Sequence, residues 1–265
     1  MAANPLLANF AIVLSRPLIP ENIGSAARVA CNMGIPCLRV VSPTELDYER
    51  MLKMATHKAA HIIHEMKVYG DVREALSDFR FVVGLTARTG GERKPIMAPR
   101  EVASRLFFYA AENSVALLFG SEDRGLTNEE IRLCHQLVRI PTAEFSSLNL
   151  AQAVMIMAYE IFLASFQECE QTSPMLATSA ELELMYERVK DILIKINFIQ
   201  PENPDHWMMN IRRFFSRLGL RSSDVNLIMG ICRQVNWYSK ARVQLRGEEK
   251  PETENGFIKD SSIIK

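Results

Sequence analysis

Three stretches of the 265-residue chain carry residue types that can hold an anion or move a proton. The first, residues 15–28 (SRPLIPENIGSAAR), sets two prolines, Asn22 and a run of small residues ahead of Arg28. Proline disfavours helix in the residue before it, so this loop stays extended until the helix predicted over Gly24 to Met33. Asn22 can cap that helix, and Arg28 follows Gly24 by about one turn. A loop that feeds a helix N-terminus can bind an anion, because free N–H groups and the helix dipole point the same way. The second stretch, residues 119–128 (FGSEDRGLTN), places Gly120 and Gly125 around a charged loop. Thr127 or Asn128 can cap the next helix, with Glu129 and Glu130 in its first turn. This is neither G-x-G-x-x-G nor a P-loop, which argues against a standard dinucleotide site and a nucleoside triphosphatase. The third, residues 140–153 (IPTAEFSSLNLAQA), predicts a strand end at Ile140, a polar loop, and a helix beginning at Ser146 or Ser147.

Other chemistry finds less support. His57 and His61 stand at i, i+4, which suits zinc on a helix, and His64 follows. Only Glu65 is spaced to add a ligand, too few for a zinc site, so these histidines read as solvated or packing residues and no metal is expected. The five cysteines, Cys31, Cys37, Cys134, Cys169 and Cys232, are odd in number and include no C-x-x-C pair. Neither a disulfide framework nor a zinc site follows, and a reducing cytoplasm is the expected compartment. No signal peptide is visible, and the longest apolar runs fall short of the ~20 residues a membrane span needs. Phe107, Phe108 and Tyr109 read as core, and Trp207 and Trp237 as packing between short helices or as stacking surfaces.

Elements able to position these stretches are legible in the hydropathy pattern. Residues 10–14, 38–41, 79–85, 115–119 and 137–140 are short, near-continuous apolar runs, which suits strands covered on both faces. Helical patterns lie between them, at 24–33, 50–61, 72–76, 100–111, 128–134 and 148–166. The alternation predicts an α/β fold, a mostly parallel sheet flanked by helices, over residues 1–167. Residues 168–179 are polar with Pro174 and read as a linker. Residues 180–246 show only helix signals, at 180–197, about 205–217 and 224–238, with Ser223-Asp224 as a cap for the last. The tail, 247–265, reads as disordered.

In the order strand-PENIG-x-x-x-R, FG-x-E-x-x-GLT, SSLNL-x-x-A, the three stretches together resemble the SpoU branch of the SPOUT superfamily. Its members are RNA ribose 2′-O-methyltransferases that use S-adenosylmethionine. The resemblance covers roughly residues 10–166, and the joint presence of the three motifs is far more specific than any one. Residues 82–88 (VVGLTAR), 128–135 (NEEIRLCH) and 210–215 (NIRRFF) are similar to the bacterial tRNA-modifying members that act at position 32, on the 5′ side of the anticodon loop. The resemblance implies a homodimer and a deep trefoil knot at about residues 115–166, with the cofactor bent near the subunit interface. It places Leu85, Thr86, Ala87, Gly120, Glu122, Ile140, Ser146, Ser147 and Leu148 at the cofactor. It gives Arg28, Asn22, Ser147 and Asn149 catalytic positions, Asn149 bracing the loop, and makes Glu122 a reserve base. In the family the arginine matching Arg28 is the proposed activating group. A guanidinium pKa above 12 favours instead a phosphate clamp that stabilises a developing alkoxide. Two departures bear on RNA choice: the composition of residues 121–124, and a loop at 141–145 shorter by one residue.

From the residues alone, a ribosomal RNA methyltransferase and an inactive RNA-binding protein of the same fold stay open as alternatives. Charge distribution favours an RNA partner. The chain carries 31 Lys+Arg against 31 Asp+Glu, yet residues 205–246 hold eight basic against two acidic residues. Concentrated positive charge of this kind is the footprint of a phosphate backbone. The expected RNA contacts, with tRNA as the expected partner, are Arg88, Arg93 and Lys94 in a basic loop and Arg212, Arg213 and Arg217 in the helical extension.

Overall fold

The computed structural model describes residues 4–87, 96–166, 173–199 and 204–248, with side chains up to residue 239. The expected RNA contacts Arg88, Arg93 and Lys94, the start of the linker and nearly all of the tail lie outside the described residues. At the centre is a seven-stranded sheet in the order β3-β2-β1-β6-β4-β7-β5. Its strands are β1 (Phe10–Ser15), β2 (Cys37–Val41), β3 (Lys67–Tyr69), β4 (Phe81–Leu85), β5 (Ile96–Met97), β6 (Val115–Phe119) and β7 (Gln136–Val138). Every pairing is parallel. The central strands β1, β4 and β6 are buried along their whole length, as continuous apolar runs require.

Alternate residues of those strands serve two cores. Phe10, Ile12 and Leu14 join Leu117 and Phe119 in one, with helices α1 (Pro20–Met33), α2 (Tyr48–Glu65), α4 (Pro99–Ala110) and α6 (Leu150–Ala164). Ala11, Val13, Ala116 and Leu118 face the other, with α3 (Val72–Leu76) and α5 (Asn128–Leu133). Gly24 lets α1 lie against α2: a Cβ there would sit 2.1 Å from the Met51 carbonyl oxygen.

Beyond the sheet, α7 (Ser179–Lys195), α8 (Pro204–Ser216) and α9 (Ser222–Glu248) share a separate apolar cluster around Met185, Tyr186, Ile199, Met208 and Val225. Of the expected linker, residues 173–178 are docked rather than free. The Asn113 side chain holds Ser173, the Pro174 carbonyl and the Leu176 amide, and Leu176 enters the main core. Among the described residues no helix is long and apolar enough to cross a membrane.

Several boundaries differ from expectation. α1 begins at Pro20, whose missing N–H costs nothing in a first turn, so Asn22 lies inside the helix and does not cap it. α6 begins at Leu150, with Asn149 rather than a serine as its cap, accepting from the amides of Ala151 and Gln152. α9 starts at Ser222, and Asp224 reaches back to accept from the Arg221 amide. The short edge strands β3 and β5 had no sequence signal.

Candidate active site

The second and third stretches meet the residues that follow β4 at the carboxyl ends of β4, β6 and β7, and Asn22 of the first stretch touches both. That is where open parallel sheets place ligands, close to where the strand order reverses. A cavity of about 290 Å³ opens there. Leu85, Thr86 and Ala87 leave β4 on one side, and Gly120 to Gly125 leave β6 on another. Ile140, Ser146, Ser147 and Leu148 close the third side, with Leu150 and Ala153 of α6 behind them. All nine residues expected at the cofactor therefore line one cavity.

The β6 loop is a tight turn. The Gly125 amide donates to the Ser121 carbonyl at 2.8 Å, and Gly125 has φ +65°, a left-handed conformation that favours glycine. A Cβ on Gly120 would lie 2.0 Å from the Gly125 carbonyl carbon, so the turn can close only over a glycine. The Ser121 hydroxyl, 2.7 Å from Asp123, holds that carboxyl below its usual range.

Asn22 joins the loops. Its Nδ2 donates to Glu122 Oε1 at 2.7 Å, and its Oδ1 accepts from Asn149 Nδ2 at 2.9 Å. The other Glu122 oxygen accepts from the Leu18 amide at 2.8 Å. Asn22 is 6% exposed, so both halves of its amide are used in a place where leaving either unpaired would be costly. Arg28 stands apart. It is exposed on α1 and does not line this cavity, because the earlier start of α1 puts it more than two turns from the helix N-terminus.

Sequence reasoning missed the support beneath the loops. Arg16, at φ 51°, turns its guanidinium back onto Glu130, with Nη2 2.9 Å from Oε2, and reaches the Gly125 carbonyl at 3.4 Å. Glu130 also accepts from the Ser15 hydroxyl and the Thr127 amide, while Thr127 caps α5 as expected. Burial pushes the Glu130 carboxyl up, but the hydrogen bonds from Arg16, Ser15 and Thr127 outweigh it and hold the group below the usual range. This pair ties the end of β1 to the loop after β6. The capping pattern at Thr127 to Glu130 was the only sequence signal for it.

Among the described residues, no group of three or more His, Cys, Asp or Glu is placed to hold a metal, and His57, His61 and His64 are exposed on α2. In the helical extension Arg212 is turned inward. It forms a two-pronged ion pair with Glu183, 2.8 Å on one side, and lies 4.2 Å over the Tyr186 ring, so its fork is already used. Arg217 is exposed.

Fold and site together define a class. Residues 9–159 match the SpoU rRNA Methylase family, and the chain belongs to that family. Residues 180–249 match a second family model, the C-terminal domain of the tRNA methyltransferase TrmJ. The tRNA (cytidine/uridine/adenosine-2′-O-)-methyltransferase TrmJ of Pseudomonas aeruginosa (strain UCBPP-PA14) is 34% identical over 258 residues, covering 92% of this chain and 100% of its own. The tRNA (cytidine/uridine-2′-O-)-methyltransferase TrmJ of Sodalis glossinidius is 34% identical over 241 residues, 89% of this chain and 94% of its own. Among solved structures, TrmJ from Z. mobilis ZM4 superposes with a TM-score of 0.74 at 30% identity, covering 85% of this chain and 98% of that one.

Proposed function

We propose that this chain is a homodimeric, cytoplasmic enzyme that transfers a methyl group from S-adenosylmethionine to a ribose 2′-hydroxyl of tRNA, at position 32 of the anticodon loop. The observation that carries the reading is the convergence of three chain-distant loops on one cavity, cross-linked through Asn22, Glu122 and Asn149. Membership of the SpoU family and the 2′-O-methyltransferase activity of the TrmJ relatives support the same chemistry.

The cavity's chemistry fits the cofactor. Leu85, Ile140 and Leu148 offer apolar surface to a purine. Glu122 and Asp123 offer negative charge to a sulfonium and an ammonium, and Ser146 and Ser147 offer hydroxyls. When bound, the cofactor supplies an electrophilic methyl carbon. The protein's task is then to exclude water and align a ribose oxygen with that carbon, so positioning supplies much of the rate. Asn22 and Asn149 hold the loop that carries Ser147. Arg28 acts as a clamp on the neighbouring phosphate, where its fixed charge stabilises oxygen anion character as the 2′-hydroxyl passes its proton to water.

The exposed position of Arg28 and the apolar stripe on α6 support a dimer that completes the site. Met155, Tyr159, Leu163 and Phe166 follow one another at helical spacing and are 37–53% exposed. The same reading takes the segment 115–166 as the knotted part of the fold, residues 1–167 as the catalytic unit and residues 180–246 as the RNA-binding unit.

Mass-spectrometric mapping of ribose methylation in tRNA, with and without the gene, tests the assignment. Loss of methylation at position 32 is expected, and unchanged methylation there defeats it. With purified protein, Arg28→Lys should lower turnover about a hundredfold, since lysine cannot reproduce the two-pronged fork. Near-normal turnover would remove Arg28 from the chemistry.

A further inference from the structure

At the end of the sheet opposite the reaction cavity, a second cavity of about 230 Å³ lies between the sheet and the helical extension. Phe81 and Gln136, the first residues of β4 and β7, form part of its floor, whereas Leu85 at the other end of β4 lines the first cavity. The length of β4 separates the two, roughly 13 Å at strand rise. Arg80 and Arg105 enter from the sheet unit, and Arg213 and Arg217 from α8 and the turn after it. Among the described residues, the lining contains no Asp or Glu.

Most arginines that the structure pairs are neutralised by a carboxylate, as with Arg16, Arg39, Arg50, Arg73 and Arg212. Arg105 and Arg217 have no such partner among the described residues, and both are exposed. Arg105 lies along Tyr109, 5.6 Å from the ring centroid, with Nη2 3.4 Å from the phenol oxygen. Arg80 is anchored by donating to the Leu176 carbonyl, which uses one arm of its fork. Glu181 offsets the charge of Arg80 in part, and the remaining cationic surface of the cavity attracts anions. The planar fork of arginine matches phosphate oxygens in particular. Arg221, exposed in the turn before α9, follows Leu220 of the lining and adds a further cation next in the chain, which suits a strand of phosphates more than one small ion.

We infer that this cavity is a phosphate subsite for an RNA backbone, gripped jointly by the sheet unit and the helical extension. The inference rests on the reading above that RNA is the substrate. It makes the junction between the units a positioning device that sets how the extension presents RNA to the sheet unit.

The test uses the full chain, wild type against the double variant Arg105→Gln/Arg217→Gln, with Arg188→Gln on the exposed face of α7 as a control that removes one charge outside the cavity. Both substituted side chains are exposed, so the melting temperature and S-adenosylmethionine affinity should stay at wild-type values. The affinity for tRNA should fall about tenfold or more. The slope of log affinity against log salt should become shallower by about two, and the control should change both far less. Unchanged affinity and slope in the double variant overturn the subsite. Competition of inorganic phosphate or a nucleoside monophosphate with tRNA at submillimolar concentration would also overturn it, by making this a small-anion site. Methyl transfer by the wild type separates the two readings. If wild type binds tRNA through these arginines but transfers no methyl group, the enzyme reading falls and the subsite stands. If it methylates tRNA while the double variant binds normally, only the subsite falls.

Discussion

Glu130 shows how much of the site depends on one buried carboxylate. Its side chain is 2% exposed, while that of its partner Arg16 is 36% exposed. The folded-state pKa of Glu130 lies below the ordinary 4.5 despite burial, because Arg16, Ser15 and Thr127 all donate to it. A depressed carboxylate stabilises the fold at pH values above its unfolded pKa, and that contribution is lost as pH falls through the folded value. Arg16→Met leaves the buried charge without its counterion; breaking a fully buried pair costs about 3–5 kcal/mol, and solvent access at Arg16 puts the cost here below that range. In the variant the carboxyl should titrate above its ordinary range. Urea titrations should therefore show the deficit largest at pH 7 and shrinking towards pH 4, where protonation removes the unpaired charge. A deficit independent of pH would mean that Arg16 acts through packing alone. Beyond the capping pattern at Thr127 to Glu130, none of this was legible in the sequence. Arg16 matters through a left-handed backbone angle and a partner 114 positions away, and neither leaves a local pattern. By contrast Asn22, Glu122 and Asn149 were legible as motif members, although their mutual hydrogen bonds were not.

Elements were legible where burial is two-sided and invisible where it is not. β1, β4 and β6 sit inside the sheet, and their apolar runs announced them. β3 and β5 lie at the edges, are three and two residues long, and have no fully buried residue, so they had no hydropathy signal to read. The start of α1 was misplaced because proline acts in two ways: it breaks a helix interior but suits a first turn. α6 is apolar nearly all round, with Val154, Met157 and Ile161 on the core side. A helix of that kind buries both faces, so the stripe of Met155, Tyr159 and Leu163 calls for a second covering surface. Tyr159→Glu/Leu163→Glu places two charges on that stripe and leaves the core side untouched. Light scattering on the eluting protein should give two chain masses for wild type and one for the variant, with methyl transfer lost in parallel. A single chain mass for the wild type would refute the dimer.

At the scale of the whole molecule, the zero net charge conceals an uneven distribution. Residues 1–167 balance their charges, whereas residues 205–246 carry a net +6. The sequence showed that split. It could not show that the segment between the units is a docked strap, since the docking of Ser173, Pro174 and Leu176 depends on Asn113, some 60 positions earlier. The strap decides where the chain can be cut. Removing everything after residue 167 would take Leu176 out of the main core and leave Asn113 unpaired. Removing residues 181–265 keeps the strap and its bonds from the Ser179 and Ala180 amides to the Phe79 and Ser77 carbonyls, and leaves the reaction cavity intact. The extension has its own apolar cluster, so its loss should not collapse either sheet core. For the chain ending at Ala180, calorimetry should give an S-adenosylmethionine affinity within about twofold of wild type. Affinity for tRNA should fall at least about tenfold, with a shallower salt dependence, because the basic helices and the phosphate contacts proposed for them are gone. Equal loss of both affinities would mean that the extension holds the catalytic loops in place rather than holding RNA.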